Sequence, residues 1–223
     1  MSAATQPMGT VTGLWRYPVK ALAAQALQAT YVDEDGIAGD RRAALFVTTP
    51  GKARSDKTLR GKEQPRFHTI ADVGLARTLA TPLDLELRDE GPYFDARPVS
   101  LIFDRWLEEL QHICGRPIAA LRFRPNILVR ARGEVPPEAD LVGLRLRAGN
   151  VLLRVLEPIT RCVTPSYDLE TGASSTEILR GLVHVRGNLM GIYCSVEQPG
   201  ALALGDGLQV LEVDAGAAPT TKG

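Results

Sequence analysis

The run VLLRVLEPITRCVTPSYDLETG, residues 151–172, changes character at its middle. Val151, Leu153 and Val155 alternate with Leu152 and Arg154, the period of two that puts apolar side chains on one face of a strand and a charge on the other. From Pro158 the pattern breaks. A single thiol, Cys162, follows Arg161 directly and lies in a polar loop between two prolines, with Thr160, Thr164 and Ser166 around it and Asp168 and Gly172 in a turn-rich tail. Pro and Gly at these points oppose regular strand pairing. A strand that delivers a cysteine into such a loop makes the rest of the chain worth reading for partners to both.

The strand half of the pattern recurs. TVTGLWRYPV (10–19), QALQATYV (25–32), RRAALFVTT (41–49), LDLELRD (83–89), LRFRPNILVRA (121–131), NLMGIYCSVE (188–197) and LQVLEV (208–213) all mix β-branched or aromatic residues with alternating polarity. Gly- and Pro-rich turns separate them. Two helices are expected. One covers residues 98–115, with Ser100 as N-cap, Leu101, Trp106, Leu107 and Leu110 on one face and Gly115 as the stop. The other is short, near residues 174–182, capped by Ser174 or Ser175. The fold class is therefore mainly β, barrel-like, with one or two covering helices. A division near residues 90–97 separates a first region, 9–92, from a second, 93–213, and residues 1–8 and 214–223 read as flexible tails.

Composition narrows the function. The 223 residues carry 26 basic and 26 acidic side chains, so no basic excess points to nucleic acid. No apolar run is long enough to span a membrane. The first residues, MSAATQPMGT, lack the basic and apolar segments of a signal peptide, and a cytoplasmic location is expected. Three widely spaced cysteines, Cys114, Cys162 and Cys194, with no CxxC, argue against a disulfide framework, a structural zinc site or a cysteine-held iron–sulfur cluster. The histidines His68, His112 and His184 show no metal-binding spacing.

A lone cysteine is by default a small buried hydrophobe, and Cys114 and Cys194 read that way. Cys162 differs by its polar loop and its adjacent arginine, which favours a thiolate. In FRPN (123–126), Arg124 and Asn126 are two apart and would share a face of an extended segment that Pro125 favours, although a solvated strand end would look the same. Lys20 stands at the exit of the first strand, GDR (39–41) delivers Arg41 from a turn, and Arg60, Lys62 and Arg66 crowd one loop. Each alone reads as a solvated charge.

In order, YPVK, GDR, TLR then QPR, FRPN, RC…D…TG and a closing PG…GD resemble one family, the MOSC-domain proteins preceded by a MOSC N-terminal β-barrel region, in the branch of the YcbX-like proteins and the mitochondrial amidoxime-reducing component. The resemblance runs from about residue 9 to about residue 213. It implies a molybdenum cofactor, with Cys162 as the protein's metal ligand and Lys20, Arg41, Arg124, Asn126, Thr160 and Arg161 around the pyranopterin and its phosphate. Ala21, Ala96 and Arg97 stand where the family commonly has hydroxyl residues, so backbone N–H groups or Arg97 are expected to substitute as donors. Asp168 is assigned to loop shape. The implied activity is reduction of small N-hydroxylated compounds, the oxygen leaving as water. Electrons would come from a separate ferredoxin- or flavoprotein-type partner. The alternative is a carrier, of persulfide sulfur on Cys162 or of the cofactor, without turnover.

Overall fold

The alternation in residues 151–160 is the spine of a closed barrel. A computed structural model describes residues 5–49, 51 and 54–211. The first half contains β1 (Thr5–Arg16), β2 (Val19–Lys20), β3 (Gln25–Ala26), β4 (Ala29–Asp33), β5 (Gly36–Ile37), β6 (Ala43–Val47), α1 (Val73–Ala80) and β7 (Leu85–Arg88). The second contains β8 (Val99–Phe103), α2 (Asp104–Cys114), β9 (Ile127–Ala131), β10 (Arg145–Ala148), β11 (Val151–Thr160), α3 (Glu177–Arg186), β12 (Leu189–Gln198), β13 (Gly200–Ala203) and β14 (Gly207–Leu211).

Seven strands run in the order β14–β10–β11–β12–β8–β9–β1, and β1 pairs back onto β14 to close the ring. All neighbours are antiparallel except β8 and β9. Closure leaves no open edge between these strands. β1 is long because it serves both β14 and β9, and its register shifts near Gly9 and Gly13 bend it between them. Gly9 is required by close approach: a Cβ there would lie 2.2 Å from the Arg130 carbonyl oxygen.

The inward residues form the main core. Val11, Leu101, Ile127, Val129, Leu153, Val155 and Ile192 are buried in one cluster, joined by Trp106, Leu107 and Leu110 of α2 and Ile178 and Leu182 of α3. Each fully buried aliphatic side chain contributes about 1.5–3 kcal/mol. A second, smaller core holds Val19, Leu22, Leu45, Leu59, Phe67 and Leu85, where the sheet β2–β6–β7 meets α1.

Four expectations are corrected. The helix expected over 98–115 is a strand followed by a helix: every residue of VSLIF is buried, so this run is a barrel stave, and α2 starts only at Asp104. An unbroken apolar run fits a two-sided buried strand as well as a helix, and barrel pairing decides it. Ser100 is thus no cap; its Oγ lies 3.0 Å from Asn126 Oδ1. Residues 5–8, expected in a tail, pair with β14. Residues 1–4 and 212–223 lie outside the described residues. The division at 92/93 does not separate the sheets, because β1 is a stave of the ring built mostly from the second region. A third helix, α1, was not expected; Asp72 caps it by accepting from Leu75 N at 2.6 Å.

Candidate functional site

The chain leaves β1 at Tyr17, and the site is assembled around that ring. Tyr17 is buried, donates from its hydroxyl to Pro125 O at 3.0 Å, and donates from its amide to Asp40 Oδ1 at 2.6 Å. Burial pushes its phenol up to about 12, so it stays a neutral donor. The Arg124 and Arg41 guanidiniums lie over the ring, 4.2 and 4.7 Å from its centroid. Arg41 is also ion-paired with the buried Asp40. Two desolvated cations are thereby supported by one aromatic face and one carboxylate.

The backbone is strained here. Ala21, Arg41 and Arg124 have φ of 73°, 48° and 51°, in the left-handed region that side chains other than glycine rarely adopt. Such conformations cost on the order of 1–3 kcal/mol each and gather at functional sites. Arg124 ends the 3-10 turn Ala120–Phe123 instead of lying in an extended segment. It therefore does not share a face with Asn126, and the alternation argument fails at that point. Asn126 is buried between strands: its Oδ1 accepts from Ser100 N at 3.1 Å and its Nδ2 donates to Trp15 O at 3.3 Å. It fastens β8 to β1 and does not line the site. Arg97 is also elsewhere, in an exposed ion pair with Glu157 at 2.9 Å.

Lys20, Arg41, Arg124, Thr160, Arg161 and Cys162 do come together, around two adjoining cavities of about 180 and 360 Å³. Asp95, Arg124, Cys162 and Thr164 line both, so the thiol stands at their junction. Cys162 is exposed, and its Sγ lies 3.2 Å from the Thr164 hydroxyl. The smaller cavity adds Arg41, Arg122 and Arg161; the larger adds Lys20, Arg60, Lys62 and His68.

Arg161 lines the smaller cavity, but its hydrogen bonds go to the backbone. Its guanidinium donates to Phe123 O at 2.8 Å and twice to Met190 O, pinning the end of β11 to its neighbours. Burial lowers Arg161 and Arg124 alike to about 10, and both remain cations at neutral pH. Arg124 donates Nη1 to Leu22 O at 2.7 Å, while its buried Nη2 has no partner among the described residues. Lys20 pairs with Asp95 at 2.8 Å. Desolvation alone would raise the Asp95 carboxyl; the charge and hydrogen bond of Lys20, then Arg41 and Arg124, outweigh it and hold the group below its ordinary range.

Four contributors were not anticipated: Tyr17, Asp95, Arg122 and His68. Arg122 had a signal, its spacing of two from Arg124 in RFR. It donates to Tyr167 O at 2.6 Å and to Asp168 Oδ2 at 2.9 Å, tying the turn before FRPN to the cysteine loop. Asp168 shapes that loop, in keeping with its expected role. Its Oδ1 accepts from the amides of Thr171 and Glu170 at 3.0 and 3.1 Å and from the Thr171 hydroxyl. These bonds hold its carboxyl at about 2. A depressed carboxylate stabilises its surroundings at pH above the unfolded value near 4, and that support is lost as pH falls through about 2. Asp168→Asn is therefore expected to speed amide exchange in residues 163–175 at pH 7 while leaving the barrel unchanged. Equal exchange in both proteins would contradict this.

A closed barrel that carries one exposed thiol beside buried and half-buried arginines defines a class. The chain belongs to the MOSC domain family, whose model matches residues 88–209. β1, which closes the ring, lies outside that span. Over 137 residues the chain is 29% identical to mitochondrial amidoxime-reducing component 1 of Mus musculus, covering 56% of this chain and 39% of that protein. The chain thus spans about two-fifths of that relative's length. The crystal structure of the YUAD protein from Bacillus subtilis superposes with a TM-score of 0.56 at 17% identity, over 95% of this chain and 100% of that one, a likeness of fold. No helix among the described residues is long and apolar enough to cross a membrane.

Proposed function

We propose that the protein binds a molybdenum cofactor and reduces small N-hydroxylated compounds with electrons from a separate ferredoxin- or flavoprotein-type protein. The observation that carries the reading is that an exposed thiol lines the same cavities as Arg124, whose guanidinium holds a buried nitrogen, Nη2, without a partner among the described residues. A buried cationic donor without a partner fits an anionic ligand group, because leaving it unpaired is costly. A cysteine sulfur at the junction fits a soft metal. Family membership and the similarity to an amidoxime-reducing component support the chemistry.

Cys162 would be the protein's ligand to the metal. Arg124, with Arg41 and Lys20, would hold the phosphate of the pterin, and Thr160 would offer a hydroxyl beside it. When bound, the group supplies the two-electron redox chemistry. The residues of this chain orient and neutralise. Asp40 and Asp95 limit the net positive charge of the cradle, Tyr17 holds two guanidiniums in place, and Arg122 and Asp168 set the thiol loop. Asn126 and Arg97 take no part in the cradle. In place of the implied Asn126 and Arg97 contacts, the donors at hand are Arg41, Arg124 and Lys20.

Protein expressed in a host that makes the cofactor is expected to carry close to one molybdenum and one pterin per chain, measured by metal analysis and by fluorescence of the released pterin. Folded protein free of both from such a host would refute the reading. The exposure of Cys162 favours one second reading, a persulfide carrier. Intact-mass analysis showing one reductant-labile sulfur on Cys162, without metal, would select it.

A further inference from the structure

His68 had no role in the sequence, where no second histidine stands at metal-binding distance. In the structure it is buried, lines the larger cavity, and places Nδ1 3.3 Å from Arg124 Nη1. A guanidinium can only donate, so Nδ1 must accept and the ring proton must sit on Nε2. Nε2 is itself buried without a partner among the described residues within hydrogen-bond distance, and the Ala21 backbone is the ring's other polar neighbour. We propose that His68 is the positioning residue for Arg124: its Nδ1 holds one arm of the guanidinium over Tyr17, so that the cation is kept at the wall of both cavities for an anion that His68 itself does not touch. This rests on the anion-binding role given to Arg124 above.

Gly61 belongs to the same device. A Cβ at Gly61 would lie 2.1 Å from His68 Nε2 and 2.4 Å from its Cε1, so any side chain there would displace the imidazole. The basic loop that carries Arg60 and Lys62 therefore packs its one glycine against the ring edge. Desolvation, then the neighbouring Arg124, hold the ring at about 3, so it is a neutral acceptor throughout the physiological range. A charged imidazole would repel the guanidinium it supports.

The test uses inorganic phosphate as the probe, titrated calorimetrically into the full chain purified without cofactor. His68→Leu is expected to weaken phosphate binding about tenfold, the size of one lost hydrogen bond to a charged group. His68→Gln, whose amide oxygen can accept, should recover most of that loss. Gly61→Ala should match His68→Leu, and the double variant should be no weaker than either, because both act on one contact. Thermal unfolding checks that each variant is folded. Nitrogen-15 spectra of the imidazole should show the Nε2–H tautomer from pH 5 to 8, a readout that needs no variant. Wild-type protein that binds no phosphate, phosphate affinity unchanged in His68→Leu, or an Nδ1–H tautomer would each overturn the proposal. Molybdenum analysis of protein from a cofactor-competent host separates the two ideas. His68-dependent phosphate binding in a chain that never loads molybdenum refutes the proposed function and leaves the positioning role standing. Molybdenum loading with phosphate binding indifferent to His68 does the reverse.

Discussion

Cys162→Ala is expected to abolish reduction of a model amidoxime, with kcat/KM falling at least about 100-fold, because loss of a metal ligand exceeds the effect typical of losing its supporting contacts. The change removes only a sulfur at an exposed position whose hydrogen-bond contact is the Thr164 hydroxyl, so barrel stability should move by less than about 1 kcal/mol. Activity and stability are thereby separable in one variant. Cys114→Ala is the control: it removes a thiol packed against the core near Gly181, away from both cavities, and activity should persist. Retained amidoxime reduction in folded Cys162→Ala protein would remove Cys162 from the metal site. The persulfide reading gives a different pattern, in which the sulfur adduct disappears from the intact mass while no molybdenum is present in either protein.

Glu138→Ala is expected to cost about 3 kcal/mol of stability, the lower end of the penalty for breaking a buried ion pair, because Arg186 keeps one carboxylate partner. The Glu138 and Arg186 side chains are only 3% and 7% exposed and lie 2.6 Å apart. Glu138 also accepts from Gly191 N at 3.2 Å, so one carboxylate ties a 3-10 turn to both α3 and β12. Arg186 keeps a second pair with the more exposed Glu109, and its guanidinium lies 5.4 Å from the Trp106 ring centroid. A loss of this size should lower Tm by roughly 10 °C in a chain of this length. Replacing both residues by leucine should recover a large part of it, since an apolar pair carries no desolvation penalty. A single Glu138→Ala change costing under about 1 kcal/mol would show that water enters and screens the pair.

Most of the strands were legible because the barrel has one wet and one dry face along much of its length, and period two survives there. β11 is the clearest case: Val151, Leu153 and Val155 are buried and Arg154 is exposed. β8 was not legible, since VSLIF is buried on both faces and has no period to read. Arg124 was found by its motif but misplaced by its geometry. An extended segment was inferred from Pro125, whereas the turn before it leaves Arg124 left-handed and sends its side chain away from that of Asn126.

The chain's own sequence determined that the protein is mainly β, that Cys162 sits in a loop closed to regular pairing, and that a scattered set of cations accompanies it. These are local properties: alternation, proline, and residue type. Tertiary structure alone decided which cations form the cradle. Arg97 was equal to Arg41, Arg124 and Arg161 as a residue, yet it ends in an exposed pair with Glu157 while the other three line the smaller cavity. It also decided that Tyr17 supports two guanidiniums, and that His68, silent in sequence, meets Arg124 across 56 residues. The physical reason is that hydrogen-bond and ion-pair partners are set by where closure of the barrel brings distant loops, and that distance is not written in any local pattern.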